Sequence, residues 1–127
     1  MYEGKQEGRK ETNMAYIDVA TGRRWTDRTL QEACKGLEIE TVKLDDLDMN
    51  MKRFPGARLT DMIHHCQRIM KCVTRIPIIL GPDNKIYDGC HRVVKAVLEG
   101  KDELLCYRLV ELPEHDSVVP GNWKRVG

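Results

Sequence analysis

The segment KIYDGCHRVVKAVLEG, residues 85–100, holds the junction that decides the fold of the chain. Its first part, KIYDG, is typical of a β-strand, and the valine-rich pattern after it predicts a helix from Cys90 to Glu99 that Gly100 closes. The predicted apolar face of this helix consists of Val93, Val94, Val97 and Leu98. Gly89 allows the sharp turn that a strand needs in order to lead directly into a helix.

The segments on either side of this junction predict further strands. RIPIIL precedes it, and the intervening GPDN predicts a β-hairpin, because Pro82 suits the second position of a tight turn and Asn84 tolerates positive φ. ELLCYRLVEL, residues 103–112, predicts a strand after the helix. Nearer the N-terminus, LEIETVKLDDL alternates in polarity and predicts a strand from Ile39 to Leu44.

Two more helices are predicted upstream of the junction. TDRTLQEACKG predicts a short helix with Thr26 as its N-cap and Gly36 as its stop. LTDMIHHCQRIMKCV predicts an amphipathic helix. Its buried stripe is expected to consist of Met62, Cys66, Ile69 and Val73, widened by Ile63 and Met70. The resulting order of helices and strands indicates a mixed α/β (α+β) unit.

Composition limits the classes of function. The 127 residues fit one domain, and 21 basic against 20 acidic side chains leave a net charge of +1, which allows DNA as a partner but does not favour it. The sequence has no apolar run long enough to span a bilayer and no secretory h-region, so we expect a cytoplasmic protein without a membrane partner. The five cysteines are an odd number without a C-x-x-C pair, which indicates reduced thiols.

The junction also gathers side chains that carry chemistry. A helix start presents backbone N–H groups and the positive end of the helix dipole, and Gly89 lets an anion approach them. Arg92 adds a forked guanidinium, and His91 adds a donor or a proton carrier. The thiol of Cys90 is a candidate nucleophile at this position, whereas Asp88 is a candidate base or metal ligand. The same pattern is also typical of a plain turn followed by a core cysteine.

The motif YDGCHR, residues 87–92, resembles the strand-to-helix junction of the ParB/sulfiredoxin superfamily. Sulfiredoxins carry F-G-G-C-H-R there; their cysteine attacks a phosphorylated sulfinic acid, and the His-Arg pair and helix start bind ATP phosphates. Related free serine kinases carry D-G-H-H-R, and ParB proteins carry G-E-R-R and bind CTP. The resemblance in element order covers residues 39–112 and implies a small mixed sheet flanked by helices. Asp88 stands where sulfiredoxins have their first glycine.

The resemblance also divides the chain. It implies a superfamily domain at residues 39–112. The rest of the chain is then a flexible arm at 1–13, an N-terminal helical extension at 14–38 and a C-terminal tail at 113–127.

The resemblance implies that the chain binds ATP or ADP, with CTP as a further option, together with Mg²⁺. The residues expected to bind the nucleotide are Gly89, Cys90, His91, Arg92 and, from the helix upstream, Arg58. The candidate catalytic residues are Asp88, Cys90 and His91. No metal site built from protein ligands alone is expected, because the adjacent His64 and His65 point to different sides of their helix and no pair has zinc-finger spacing.

Three functions remain open at this point. The first is a nucleotide-dependent phosphotransferase, with an acid among Asp45, Asp46, Asp48 and Asp88 as base or Mg²⁺ ligand and a small molecule as acceptor. The second is a sulfiredoxin-like reductase, in which Cys90 attacks an oxidised protein thiol. The third is a ParB-like module that binds DNA or protein without catalysis. Asp88 favours the first function over the second.

Overall fold

A four-stranded mixed sheet forms the centre of the computed structural model, which describes residues 15–18, 21–51 and 58–119. In chain order the elements are β1 (Ala15–Ile17), β2 (Arg23–Thr26), α1 (Asp27–Ala33), β3 (Glu40–Lys43), α2 (Leu59–Lys71), β4 (Ile78–Leu80), β5 (Ile86–Asp88), α3 (Cys90–Leu98), β6 (Glu103–Arg108) and β7 (Ser117–Val118). A short 3-10 turn at Leu44–Asp46 follows β3. The described residues form a small α+β fold, as the sequence predicts; the predicted arm at 1–13 lies outside them.

The central sheet is covered on both faces. Its strand order is β3-β6-β4-β5, with β4 parallel to β6 and the other neighbours antiparallel. Side chains alternate between the faces of a strand, so Ile78 and Leu80 of β4 lie in one buried cluster while Ile79 lies in a second cluster with Trp25. Helix α3 covers the first face through Cys90, Val93 and Ala96. All three residues of β4 are therefore buried.

A three-stranded antiparallel sheet, in the order β1-β2-β7, contributes to the second cluster. Tyr16 of β1 and Trp25 of β2 pack against Tyr87 of β5, and the ring centroids of Tyr16 and Tyr87 are 4.2 Å apart. The indole N–H of Trp25 donates to the carbonyl of Pro113 at 2.8 Å. The extension and the tail thus pair as strands β2 and β7, neither of which the sequence predicts, because these short segments lack an alternating pattern.

The local turn and cap signals are confirmed. Thr26 caps α1, and its hydroxyl accepts a hydrogen bond from the N–H of Thr29 at 3.2 Å. The β4–β5 hairpin forms as predicted, and Asn84 adopts positive φ within it. Strand β6 ends at Arg108, short of the predicted boundary at residue 112.

The predicted buried stripe of α2 is wrong. None of the side chains of α2, a helix that is described throughout, is buried, and Met62 and Met70 are 55% and 73% exposed. Of the predicted stripe within the helix, Ile69 alone is partly buried, and it lies in a row of partly buried positions with Asp61, His65 and Cys72. The helix therefore contacts the rest of the protein with a side that mixes polar and apolar residues. The predicted face of α3 is partly wrong, since Val93 is buried but Val97 and Leu98 are exposed.

All five cysteines are free thiols. Cys34 and Cys106 are buried and pack as small hydrophobic residues. Cys66 was expected in the buried stripe of α2, and this is wrong, because it lies on the exposed side of the helix. Burial and, to a lesser extent, the negative charge of Asp88 together raise the pKa of the Cys34 thiol to about 11.

Candidate functional site

The junction between β5 and α3 requires glycine at position 89, because an L-residue there would be strained. Gly89 is the N-cap of α3 and adopts left-handed backbone angles, with φ +109° and ψ +18°. A Cβ atom at this position would lie 2.5 Å from Cγ2 of Ile78, a fully buried residue of β4. The strand is therefore able to lead into the helix at this angle because residue 89 has no side chain.

A carboxylate and a guanidinium form an ion pair across this glycine. The guanidinium of Arg92 donates from Nη2 to Oδ2 of Asp88 at 3.3 Å. The side chains are 15% and 22% exposed, respectively, so the pair is largely screened from water while it retains some access to it. Arg92 has five N–H donors, and a single bond to Asp88 leaves it able to contact a second anion at the same time. The pair thus sits at the edge of the helix start with capacity for an anionic ligand.

His91 connects the helix start to α2. Its Nε2 atom lies 3.5 Å from Nδ1 of His65, the distance of a long hydrogen bond, and the two rings are stacked with an interplanar angle of 28°. In a neutral pair, one imidazole donates and the other accepts. The two residues are 26 positions apart in the chain and share no motif, so this contact was not predicted. His65 is thus a contact of the junction that the sequence did not indicate.

Cys90 belongs to the core rather than to the surface of the junction. Its exposed fraction is 9%, and it lies in the cluster that includes Ile78 and Val93. It begins the inward face of α3, which Val93 and Ala96 continue at helical spacing. A thiol in this position meets a bulky protein substrate only if the helix start opens.

Arg58 contacts its own helix, and the acidic turn lies at the other end of α3. Arg58 caps α2 and contacts Asp61 of the same helix, with 3.4 Å between Nε and Oδ2, while its side chain is mostly exposed. Asp45 and Asp48 line a cavity of about 520 Å³ together with Val97 and Lys101, at the C-terminal end of α3. Since α3 is nine residues long, its two ends are separated by about 12 Å. Of the acids considered, the structure brings Asp88 to the helix start and leaves Asp45 and Asp48 at the far end.

The described residues contain no group of three or more histidine, cysteine, aspartate or glutamate side chains that could hold a metal ion. One carboxylate, that of Asp88, lies at the junction, where it accepts a hydrogen bond from Arg92. Mg²⁺ is commonly held by one or two carboxylates together with phosphate oxygens and water, and Asp88 supplies one carboxylate.

Comparisons with other proteins leave the site to be interpreted from its own geometry. No family model matches the chain, and neither a curated protein nor a solved structure matches it. In the part of the chain that the structure describes, no helix combines the length and the apolar character needed to cross a membrane.

Proposed function

We propose that the protein binds the phosphates of a nucleotide at the start of α3 and transfers the terminal phosphoryl group to the hydroxyl of a small molecule. The observation that carries this proposal is the Asp88–Arg92 pair across the left-handed Gly89 at the helix start. A phosphotransferase needs a cradle for phosphate oxygens, a positive clamp and a base near the acceptor. These are the three roles that the groups at this junction are able to fill.

Each group has a distinct role in the proposed reaction. The helix start and the guanidinium of Arg92 bind phosphate oxygens, and His91 contributes a further donor from the same turn. Asp88 accepts the proton of the acceptor hydroxyl, whose oxygen forms a bond to the terminal phosphorus while the bond from that phosphorus to the leaving nucleotide breaks. Mg²⁺ bound with the nucleotide neutralises charge on the phosphates. ATP and ADP are the first donors to test, and CTP is the third.

Two features favour this reaction over sulfiredoxin-like chemistry. The resemblance of YDGCHR to the ParB/sulfiredoxin superfamily points to both reactions, but the nucleophile of the second would be Cys90, whose side chain packs in the core. The acid at position 88 matches the kinase-like form of the motif and is partly accessible. A proton acceptor is thus accessible at the junction, whereas the thiol is not.

Isothermal titration of the protein with ATP, ADP and CTP, each with and without Mg²⁺, tests the binding step. We expect at least one nucleotide to bind, and we expect Arg92→Ala to weaken binding about 10- to 100-fold, because charge-assisted hydrogen bonds contribute about 1.5–3 kcal/mol. Arg68→Ala is the matched control, since Arg68 is an exposed arginine of α2. Absence of binding by all three nucleotides to the wild-type protein would refute the proposal.

Two further variants separate the chemistry from the binding. Asp88→Asn should lower phosphoryl transfer about 10²- to 10⁴-fold, the usual effect of losing a general base, while nucleotide affinity changes by much less. Cys90→Ala should retain transfer, because a core thiol takes no part in the reaction. If Cys90→Ala abolishes transfer in a variant that remains folded, the sulfiredoxin-like mechanism replaces the one proposed.

A further inference from the structure

Helix α2 holds its apolar side away from the protein. Successive side chains of an α-helix are about 100° apart around the axis, so the exposed apolar positions of α2 occupy an arc of roughly 100° that is centred near Cys66. This surface, called here the α2 apolar face, consists of Leu59, Met62, Ile63, Cys66 and Met70. The row that faces the protein, which contains His65 and Ile69, lies roughly 110° from that centre. An amphipathic helix usually turns its apolar side inward, whereas the apolar side of α2 lies beside its contact row and faces solvent.

Specific polar contacts hold α2 in this orientation. At its middle, His65 meets His91 of α3. At its C-terminal end, Nζ of Lys95 donates to the carbonyls of Met70 and Cys72 at 2.9 and 2.8 Å. These contacts come from the first and middle turns of α3, so they fix the rotation of α2 at two points along its length. A contiguous apolar surface held outward in this way is characteristic of an interaction site.

The charges at the two ends of α2 indicate what covers this face. Arg58 stands at the N-terminal end, and Lys71 and Arg75 stand at the C-terminal end, all of them exposed. The sole acid of α2, Asp61, already contacts Arg58. If a second copy of this helix packed antiparallel on the first, Arg58 of each copy would face Lys71 of the other, and like charges would oppose at both ends. Acidic groups at both ends of a partner would be complementary instead.

The composition of the face favours a protein over a membrane. It contains two methionines and no aromatic residue. Methionine side chains adapt their shape to a partner and are common at protein-binding surfaces. Helices that lie in a membrane interface typically anchor through Trp, Phe or Leu on a strongly apolar side, and of these α2 has only Leu59, at its very start. We therefore propose that the α2 apolar face docks an amphipathic helix of a protein partner, one that carries apolar residues at i, i+3, i+4 and i+7 and acidic residues near both ends.

A peptide-display selection tests this proposal. Immobilised wild-type protein is used to select from a library of random helical peptides, and peptides that also bind the Met62→Glu variant are removed. We expect the recovered peptides to carry the helical apolar spacing with Asp or Glu at their ends. Recovery of no peptide, or of neutral or basic peptides, overturns the proposal.

Binding measurements on a recovered peptide complete the test. Met62→Glu should weaken its binding at least about tenfold, since truncating or charging a central contact costs more than about 1.4 kcal/mol. Gln67→Glu adds the same charge to an exposed position of α2 outside the face and should change the affinity by less than about twofold. Equal effects of the two variants contradict the proposal. Met62→Glu should leave nucleotide binding at the start of α3 unchanged, which keeps this proposal separate from the proposed function.

Two further measurements distinguish the proposed partner helix from two alternative occupants of the α2 apolar face, a second copy of this chain and a membrane. Light scattering should find the wild-type protein monomeric at micromolar concentration, and a dimer that Met62→Glu dissociates would assign the face to a second copy of this chain. A fluorophore on Cys66, the exposed cysteine at the centre of the face, should not respond to vesicles of phosphatidylcholine with phosphatidylserine. A response that requires phosphatidylserine would assign the face to an anionic membrane and would overturn the proposal.

Discussion

Replacing Gly89 with alanine tests the geometry on which the candidate site depends. Part of the expected loss of stability comes from the backbone, because residue 89 has φ +109°, in a region that L-residues avoid. This strain costs about 1–2 kcal/mol. The steric cost arises because the new Cβ would lie 2.5 Å from Cγ2 and 2.8 Å from Cβ of Ile78. Ile78 is fully buried and cannot move aside without disturbing the core, which costs a further amount of about 1–3 kcal/mol.

The chain offers a matched control for the steric part of this cost. Gly100 also has positive φ, at +77°, but a Cβ there would meet no atom within 4 Å. We expect Gly89→Ala to destabilise the protein by about 2–4 kcal/mol and Gly100→Ala by about 1 kcal/mol, after the smaller entropy of the unfolded alanine variants is allowed for. The difference between the two values measures the contact with Ile78.

Urea denaturation followed by circular dichroism provides the measurement, because equal m-values would show that the two variants change stability and not the extent of unfolding. A thermal scan should show a decrease in Tm of roughly 3–5 °C for each kcal/mol in a chain of this size. If Gly89→Ala is no more destabilising than Gly100→Ala, the close packing of the helix start against β4 is wrong.

Three further predictions concern the packing around the site. Trp25→Phe should lower the free energy of unfolding by about 1 kcal/mol in urea denaturation, because it removes the indole donor that holds the C-terminal tail; an unchanged value contradicts the contact. In the native protein at pH 8, Cys66 should react with iodoacetamide. Cys34, whose pKa is raised to about 11 chiefly by burial, should react only after unfolding. Peptide mass spectrometry identifies the labelled residue, and early labelling of Cys34 would contradict its burial. The pKa of Asp116 is lowered, chiefly because its carboxylate accepts a hydrogen bond from the backbone N–H of Thr26. A lowered folded pKa stabilises the protein above the ordinary carboxyl range, near pH 4, and this contribution is lost as the pH falls through the folded value. The Tm of Asp116→Asn should therefore fall less steeply below about pH 4 than that of the wild-type protein, and identical profiles would contradict the effect.

The parts of the fold that depend on neighbouring residues were predictable from the sequence. The cap at Thr26, the hairpin at Asn84 and the helix start after Gly89 each follow from the conformational preference of one or two residues. The mixed character of the central sheet followed from the resemblance in element order. The contact between Asp88 and Arg92 is also local, since the two residues lie on either side of the turn at Gly89.

The parts that depend on distant contacts were not predictable in the same way. Strand β7 forms by pairing with β2 across more than ninety residues, and β2 also pairs with β1. Neither β2 nor β7 has an alternating pattern of its own. The pattern of α2 correctly indicated an amphipathic helix, but a hydrophobic period gives the direction of the apolar side and not what that side faces. The contacts of α2 with His91 and Lys95 of α3 decide that direction.

The most direct test of the proposed nucleotide site is a titration of ¹⁵N-labelled protein with Mg²⁺–ATP, Mg²⁺–ADP and Mg²⁺–CTP, followed by NMR. If the start of α3 binds phosphates, the backbone amide signals of Gly89, Cys90, His91 and Arg92 should shift the most, and the signals of the exposed positions of α2 should shift little. Arg92→Ala should reduce these shifts at the same nucleotide concentration. Largest shifts in another part of the chain, or no shifts with any of the three nucleotides, would contradict the assignment of the site.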